Sequence, residues 1–262
     1  MSQSWAEGRI ALVTGATSGF GEAMARRLLA AGARVIATGR REARLAALAS
    51  ELGTDRLLTR TLDVREQVSI DALLADLPGS FRDIDILYNN AGLALGLSKA
   101  QEANLDDWQT MIDTNVTGLV RVTRAVLPGM VDRNRGDVIN LSSVAASYPY
   151  PGGNVYGATK AFVRQFSLNL RADLLGTKIR VTSIEPGMAD TEFSVVRFKG
   201  DQSSADKVYQ GVDAMSADDV ALVCEGVLRL PAHINVNTLE LMPVQQAFGP
   251  FAVSREDYGE SL

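Results

Sequence analysis

Arg9-Ile-Ala-Leu-Val-Thr-Gly-Ala-Thr-Ser-Gly-Phe-Gly21 (RIALVTGATSGFG) runs from a short apolar stretch straight into a glycine-rich turn. The residues that follow, GEAMARRLLAAGA, put Ala23, Met24, Leu28 and Leu29 on one face of a helix. Strand, glycine turn and helix together favour dinucleotide binding. The glycines allow a tight turn and a close backbone approach to a pyrophosphate, which the helix N-terminus attracts. The spacing here is TGxxxGxG, carried by Gly15, Gly19 and Gly21, rather than GxGxxG.

The pattern repeats outward from this unit. Arg34-Val-Ile-Ala-Thr38 is a second strand, and a helix follows over about 42–52. Further strands are expected near 56–62, 84–88, 136–141 and 178–184, and a strand-like run follows in LPAHINVNTLEL. Helices separate them, including one long helix over about 105–131. Strand alternating with helix at this spacing predicts an α/β fold: one Rossmann-like, doubly wound domain over 1–262, with about seven parallel strands and helices on both faces. Continuous apolar runs such as IALVT suit strands buried on both faces. After Pro186 the regularity weakens, and the segment 188–212 is expected to be a lid-like loop carrying short helices. The last residues, about 245–262, form a tail with Phe248, Phe251 and Tyr258. That tail is read either as a wall over the active site of a neighbouring subunit or as a frayed terminus.

Composition narrows the function. The chain has 262 residues, is 46% hydrophobic and 22% charged, and carries a net charge of −5. That balance gives no electrostatic reason to expect nucleic acid or an anionic membrane as partner. No apolar run is long enough to span a bilayer, and the N-terminus does not have the pattern of a signal peptide. Cys224 is the single cysteine and His233 the single histidine, so no metal site is expected and a cytoplasmic location fits. His233 is read as a structural or surface residue near a turn, so acid–base chemistry has to come from elsewhere.

Two regions supply that chemistry. The second strand ends in Thr38-Gly-Arg-Arg41, with Gly39 where an NAD-selective site usually carries an acid. Arg40 and Arg41 suit the dianionic 2′-phosphate of NADP(H), which guanidinium groups can grip in a fork. The stretch Asn154-Val-Tyr-Gly-Ala-Thr-Lys160 sets Tyr156 and Lys160 four residues apart, on one helical face. A tyrosine titrates near ~10, so it needs nearby positive charge to exchange a proton. Lys160 supplies one such charge and oxidised nicotinamide would supply another. Ser143 ends the strand Asp137-Val-Ile-Asn-Leu-Ser-Ser143, on the same sheet edge as the Gly15 turn, where its hydroxyl can hold a substrate oxygen.

These residues closely resemble the short-chain dehydrogenase/reductase family. The motifs are TGATSGFG at 14–21, Asp63 in LDV, NNAG at 89–92, Asn115 in DTNVTG, Ser143, YGATK at 156–160 and PGMADT at 186–191, all in the family's order. The chain departs slightly at Met188 and Ala189, where the family commonly places a branched apolar residue at the second position. The resemblance implies a catalytic tetrad of Asn115, Ser143, Tyr156 and Lys160, with Asn115 fixing a water that relays protons to the lysine. It implies NADP(H) held by Gly15, Thr17, Ser18, Gly19, Phe20 and Gly21 in the turn and by Arg40 and Arg41. Asp63 and Val64 would meet the adenine, and Asn90, Gly92, Tyr156 and Lys160 the ribose and nicotinamide. Pro186, Gly187, Met188 and Thr191 would close over the nicotinamide.

Within the family the chain is most similar to the NADP-dependent 3-hydroxy acid and serine dehydrogenase branch. The matching stretches are NNAGLALG, PGGNVYGATKAFVRQFSLNLRADL, TEFSVVRFKGD and LPAHINVNTLELMPVQQ. That branch implies oxidation of the 3-hydroxyl of L-serine, L-allo-threonine or 3-hydroxypropionate, and reduction of malonic semialdehyde. Such an anionic hydroxy acid or aldehyde needs a cation within reach. Besides Ser143 and Tyr156, Arg197 and Lys199 are the substrate-binding candidates, although both read equally well as solvated loop charges. Sulfoacetaldehyde reduction, a broad carbonyl reductase and a non-catalytic NADP(H) sensor remain alternatives. The resemblance also implies a homotetramer, built through the helices near 105–131 and 154–175.

Overall fold

Strand β1 (Ile10–Thr14) is apolar at residue after residue because both of its faces are covered. Ala11 and Val13 point into one buried cluster, Ile10 and Leu12 into another on the opposite face. Strand β2 (Arg34–Gly39) repeats the alternation, with Val35 and Ala37 on the first side and Ile36 on the second. Each buried Val, Leu or Ile among them adds roughly 1.5–3 kcal/mol relative to exposure.

The computed structural model describes residues 4–248. Five more strands follow: β3 (Leu57–Thr61), β4 (Ile86–Asn89), β5 (Gly136–Leu141), β6 (Ile179–Pro186) and β7 (Thr238–Leu241). All pair in parallel in one seven-stranded sheet of order β3-β2-β1-β4-β5-β6-β7. The chain therefore winds outward from β1 in one direction and from β4 in the other. Between those two strands a crevice opens beyond their carboxyl ends, which is where ligands sit in such sheets.

Helices cover both faces. On one side α1 (Gly19–Ala30) and α2 (Glu42–Leu52) contribute Met24, Leu28 and Leu48 to the core. On the other, α3 (Gln67–Ala75) contributes Ile70 and Leu73. The expected long helix over 105–131 is three pieces. Helix α4 (Leu105–Ile112) is capped by the Asn104 side chain, which accepts from the Asp106 and Asp107 amides. One π-helical turn, Asp113–Gly118, comes next, and α5 (Leu119–Asp132) continues the axis. An added residue in a helical turn re-aims the side chains around it, and here the re-aimed residue is Asn115.

Helix α6 (Asn154–Asp173) carries the Tyr-Lys pair. The segment beyond β6 holds two short helices, α7 (Phe193–Arg197) and α8 (Gln202–Tyr209). Helix α9 (Ala217–Leu228) returns to pack against α1, sending Val220, Ala221 and Cys224 into the first core cluster. Among the described residues no helix is long and apolar enough to cross a membrane, and no cluster of three metal-ligating side chains occurs. Phe248 rests on Tyr148, with ring centroids 4.9 Å apart. The rest of the expected tail, with Phe251 and Tyr258, lies outside the described residues.

Candidate active site

The crevice floor is stitched by backbone chemistry at the ends of β1 and β4. Thr14 Oγ1 accepts from the amides of Asn90 and Ala91, and Asn90 Nδ2 donates to the carbonyls of Thr14 and Gly15. Gly15 and Gly19 adopt φ of +69° and +53°, a region that favours glycine. Gly21 is needed for space: a Cβ there would sit 2.4 Å from the Gly15 carbonyl oxygen and 2.5 Å from Asn90 Nδ2. Ser18 is the N-cap of α1 yet makes no capping bond. Its hydroxyl accepts instead from Arg41 Nη2 at 2.6 Å. The α1 N-terminus therefore presents its amides without a side-chain cap, as an anion-binding helix end requires.

At the end of β2, Gly39 leaves room for Thr17, whose Cγ2 would be 2.7 Å from a Cβ at that position. Arg41 donates to Thr17 Oγ1 from Nε at 3.1 Å and from Nη2 at 3.0 Å, and its Nη1 donates to Glu192 at 2.9 Å. Arg44, one turn along α2, donates to the other oxygen of Glu192. Burial alone would raise the Glu192 carboxyl, but the two arginines outweigh it and hold the group below its usual value. Arg40 lines the same cleft and is exposed. Asp63 also lines the cleft, and its carboxylate is gripped by Arg65 through Nε at 2.9 Å and Nη2 at 2.6 Å, which holds its pKa down.

The other half of the crevice is less polar. Tyr156 is 8% exposed and sits in a cluster with Leu93, Ala94, Met111 and Ala145. Lys160 is 6% exposed, donates from Nζ to the Leu141 carbonyl at 2.8 Å, and lies 5.8 Å from the Tyr156 ring centroid. Ser143, just past β5, accepts from the Ala145 amide and faces the Pro186 carbonyl at 3.4 Å. Asn115, 2% exposed, does not bond within its own helix. Its Oδ1 accepts from the Leu93 amide at 2.8 Å, and its Nδ2 donates to the Leu93 carbonyl and to Thr159 Oγ1. Asn115 thereby ties the π turn both to the loop after β4 and to α6. A Cβ on Gly92 would stand 3.2 Å from Asn115 Oδ1 and 3.6 Å from Lys160 Nζ, so a side chain there would press Asn115 back by a few tenths of an ångström.

Titration of the Tyr156–Lys160 pair in the chain by itself is governed by burial. Burial pushes the Tyr156 phenol up to about 12, against the charge of Arg197 and the Ser143 hydroxyl, which pull it down. Burial also pulls Lys160 down to about 8. The sequence reading assigned the local cation to Lys160. In the structure a second cation attends the phenol: Arg197 Cζ lies 5.1 Å from the ring centroids of both Tyr156 and Phe193. Arg197 Nη2 donates to Tyr150 Oη at 3.1 Å, while its buried Nε has no partner among the described residues. Lys199 is occupied elsewhere, 2.8 Å from Asp107.

Most of the expected residues converge on one cleft. Gly15, Thr17, Ser18, Gly19, Phe20, Arg40, Arg41, Asp63, Val64, Asn90, Gly92, Ser143, Tyr156, Lys160, Pro186, Gly187 and Thr191 all line it. Gly21 and Asn115 stand behind its wall and shape it. Met188 does not line it, and its amide donates to Gln246 Oε1. Arg197 and Lys199 border a neighbouring hollow with Asp107, Trp108 and Asn154. His233 is exposed in a turn. Sequence reasoning missed Phe193, Glu192, Tyr150 and Arg44. Only Arg44 had left a signal, since it falls in the first turn of α2, three and four residues beyond Arg41 and Arg40, which lead into that helix.

A short chain dehydrogenase family model matches residues 9–202. An NADP-dependent 3-hydroxy acid dehydrogenase of Salmonella typhi is 60% identical over 94% of this chain and 99% of its own length. A serine 3-dehydrogenase of Rhizobium radiobacter is 57% identical, over 94% of this chain and 98% of its own. Among solved structures, a closed form of serine dehydrogenase complexed with NADP+ superposes with a TM-score of 0.93 at 58% identity. It covers 94% of this chain and all of its own (100%). A serine dehydrogenase from Escherichia coli gives a TM-score of 0.81 at 54% identity, covering 91% of this chain and 100% of its own.

Proposed function

Because this chain belongs to the short-chain dehydrogenase family, we propose that it is an NADP-dependent oxidoreductase interconverting a small 3-hydroxy acid and its carbonyl form. The relatives named for 3-hydroxy acids and for serine support that substrate class, and the NADP+-bound neighbour supports the cofactor. The residues fit a 2′-phosphorylated dinucleotide: an uncapped helix N-terminus for the pyrophosphate, glycine in place of the acid at the end of β2, and two arginines beside it. When bound, the nicotinamide accepts or gives the hydride.

The protein manages the proton and the positioning. Ser143 holds the reacting oxygen by a hydrogen bond, and Tyr156 gives it a proton in reduction or takes one in oxidation. The high pKa of the phenol in the chain alone keeps it protonated and ready to donate. Oxidation needs the phenolate, which the charges of Lys160, Arg197 and oxidised nicotinamide favour. Lys160 is held by the Leu141 carbonyl, and Asn115 fixes the loop beside it, as a proton relay to the lysine requires.

The observation that carries the anionic substrate is Arg197. It is a guanidinium stacked beside the acid–base tyrosine, with a buried donor left unpaired. Lys199, bound to Asp107, is not the substrate's cation in this reading. The segment 188–212 acts as the lid that brings Arg197 to the substrate. A homotetramer is part of the same reading, with Leu105, Ile112 and Phe162 exposed on α4 and α6 as its apolar contacts. A monomeric mass in solution would refute that assembly.

Nicotinamide absorbance tests the function, with NADP and NAD each paired with L-serine, 3-hydroxypropionate and hydroxyethylsulfonate. NADP-dependent turnover of the carboxylates is the expected result. Turnover of the sulfonate alone would keep the mechanism and refute the substrate class. Tight NADPH binding without turnover of any of them would refute both.

A further inference from the structure

Arg41, one of the two arginines that face the 2′-phosphate end of the cleft, already holds an anion. Glu192 places one carboxylate oxygen on Arg41 Nη1 at 2.9 Å and the other on Arg44 Nη1. It lines the cleft together with Thr17, Ser18, Arg40 and Arg41. It comes from the segment beyond β6, about 150 residues along the chain from α2, so nothing local in the sequence dictates the pairing. Arg41 is otherwise fully committed to this end of the site, since Nε and Nη2 are aimed by the Thr17 and Ser18 hydroxyls.

We propose that Glu192 is a specificity-determining residue: an internal anion that occupies Arg41 at the 2′-phosphate end of the cleft and yields it when NADP(H) docks. The inference rests on the NADP reading above. A 2′-phosphate carries close to two charges and three acceptor oxygens, against one charge and two oxygens for Glu192. The dianion is therefore the stronger partner for a guanidinium fork. A dinucleotide with only a 2′-hydroxyl brings no charge and leaves Glu192 in place. The carboxylate thus taxes the phosphorylated cofactor selectively, and Arg44 keeps it nearby as a counter-ion once Arg41 is released. Glu192 also immediately precedes α7, so its partner exchange takes place one residue from Phe193, whose ring lies 5.6 Å from that of Tyr156.

The test is Glu192→Gln in the full chain, with NADPH and NADH dissociation constants measured by titration calorimetry. An exposed ion pair of this kind is worth about 0.2–1 kcal/mol and one such pair is given up, so NADPH should bind about 1.5- to fivefold tighter in the variant. NADH affinity should stay unchanged. That unchanged NADH affinity separates the effect from a merely structural one, and the same preference should appear in stability: saturating NADPH should raise the thermal unfolding midpoint more in the variant than in the unmodified protein, because the variant gives up no ion pair on binding. Unchanged or weaker NADPH binding in the variant would overturn the proposal and make Glu192 a support for Arg41 in the complex. Equal midpoint rises would overturn it too. An unmodified protein that binds NADPH no better than NADH would instead overturn the cofactor reading beneath it.

Discussion

Replacing Lys160 by methionine removes a cation that the fold holds at 6% exposure against a single carbonyl oxygen, that of Leu141 at 2.8 Å. Burial lowers its pKa from 10.5 to about 8. A lysine whose pKa falls on folding binds fewer protons in the native chain than in the unfolded one between those two values. Stability therefore rises with pH across that window. Below it both states carry the charge and the cost of burying it is present in full. Above it both are neutral and the cost is gone. At about 1.4 kcal/mol per unit, the full cost is about 3.5 kcal/mol, of which about 2.5 kcal/mol is relieved between about pH 7 and about pH 10. Urea unfolding, followed through Trp5 and Trp108, would be run for the unmodified protein and for Lys160→Met at steps across that range. Other titrating groups cancel in the difference between the two proteins. That difference should move in favour of the unmodified protein by about 2.5 kcal/mol as the pH rises. Parallel stability curves would show that Lys160 is not depressed, and would refute the reasoning.

Tyr156→Phe should abolish turnover while leaving NADPH binding nearly intact, checked by absorbance assay and titration; retained activity would remove Tyr156 from the acid–base role. Gly21→Ala would place a Cβ 2.4 Å from the Gly15 carbonyl oxygen. It should cost about 1–3 kcal/mol of stability by overpacking and weaken NADPH at least about tenfold by distorting the turn, measured by melting and by cofactor titration. Arg197→Met should raise KM for a carboxylate substrate by roughly ten- to a hundredfold through loss of a charge-assisted hydrogen bond, and should leave NADPH binding unchanged. Because Arg197 pulls the Tyr156 phenol down, the same variant should also move the rising limb of the oxidation pH profile to higher pH; an unmoved limb would show that its charge does not reach the phenol.

The fold was legible because its signals are local. The glycine turn after β1, the continuous apolar strands and the alternation of elements all lie within short windows of sequence, and the structure follows them with edges shifted by a few residues. The π turn was not legible. Asp113–Gly118 reads as ordinary helix, and the bonds that hold Asn115 out of register come from Leu93 and Thr159, 22 and 44 residues away. Arg197 and Lys199 were equivalent charges in the sequence, and only the fold sets one against Tyr156 and the other against Asp107. Lys160 was expected to lower the tyrosine's pKa, but the sequence could not reveal that burial would dominate both groups. Glu192 meets Arg41 and Arg44 only because the chain crosses the sheet several times between them.

The π turn also separates what the site needs from what the core needs. It uses one residue more than an α turn to cover about the same rotation, so α5 leaves it in the phase that a regular helix one residue shorter would have. Deleting one residue between 113 and 118 would let the backbone close into a regular α-helix, with Val122, Val126 and Met130 still facing the buried cluster on that side of the sheet. The change would be local: Asn115 would lose the wide turn from which it reaches Leu93 and Thr159. The extra residue thus insulates the core from the crevice, so that the wall of the site can be rebuilt without unseating the packing that holds the sheet.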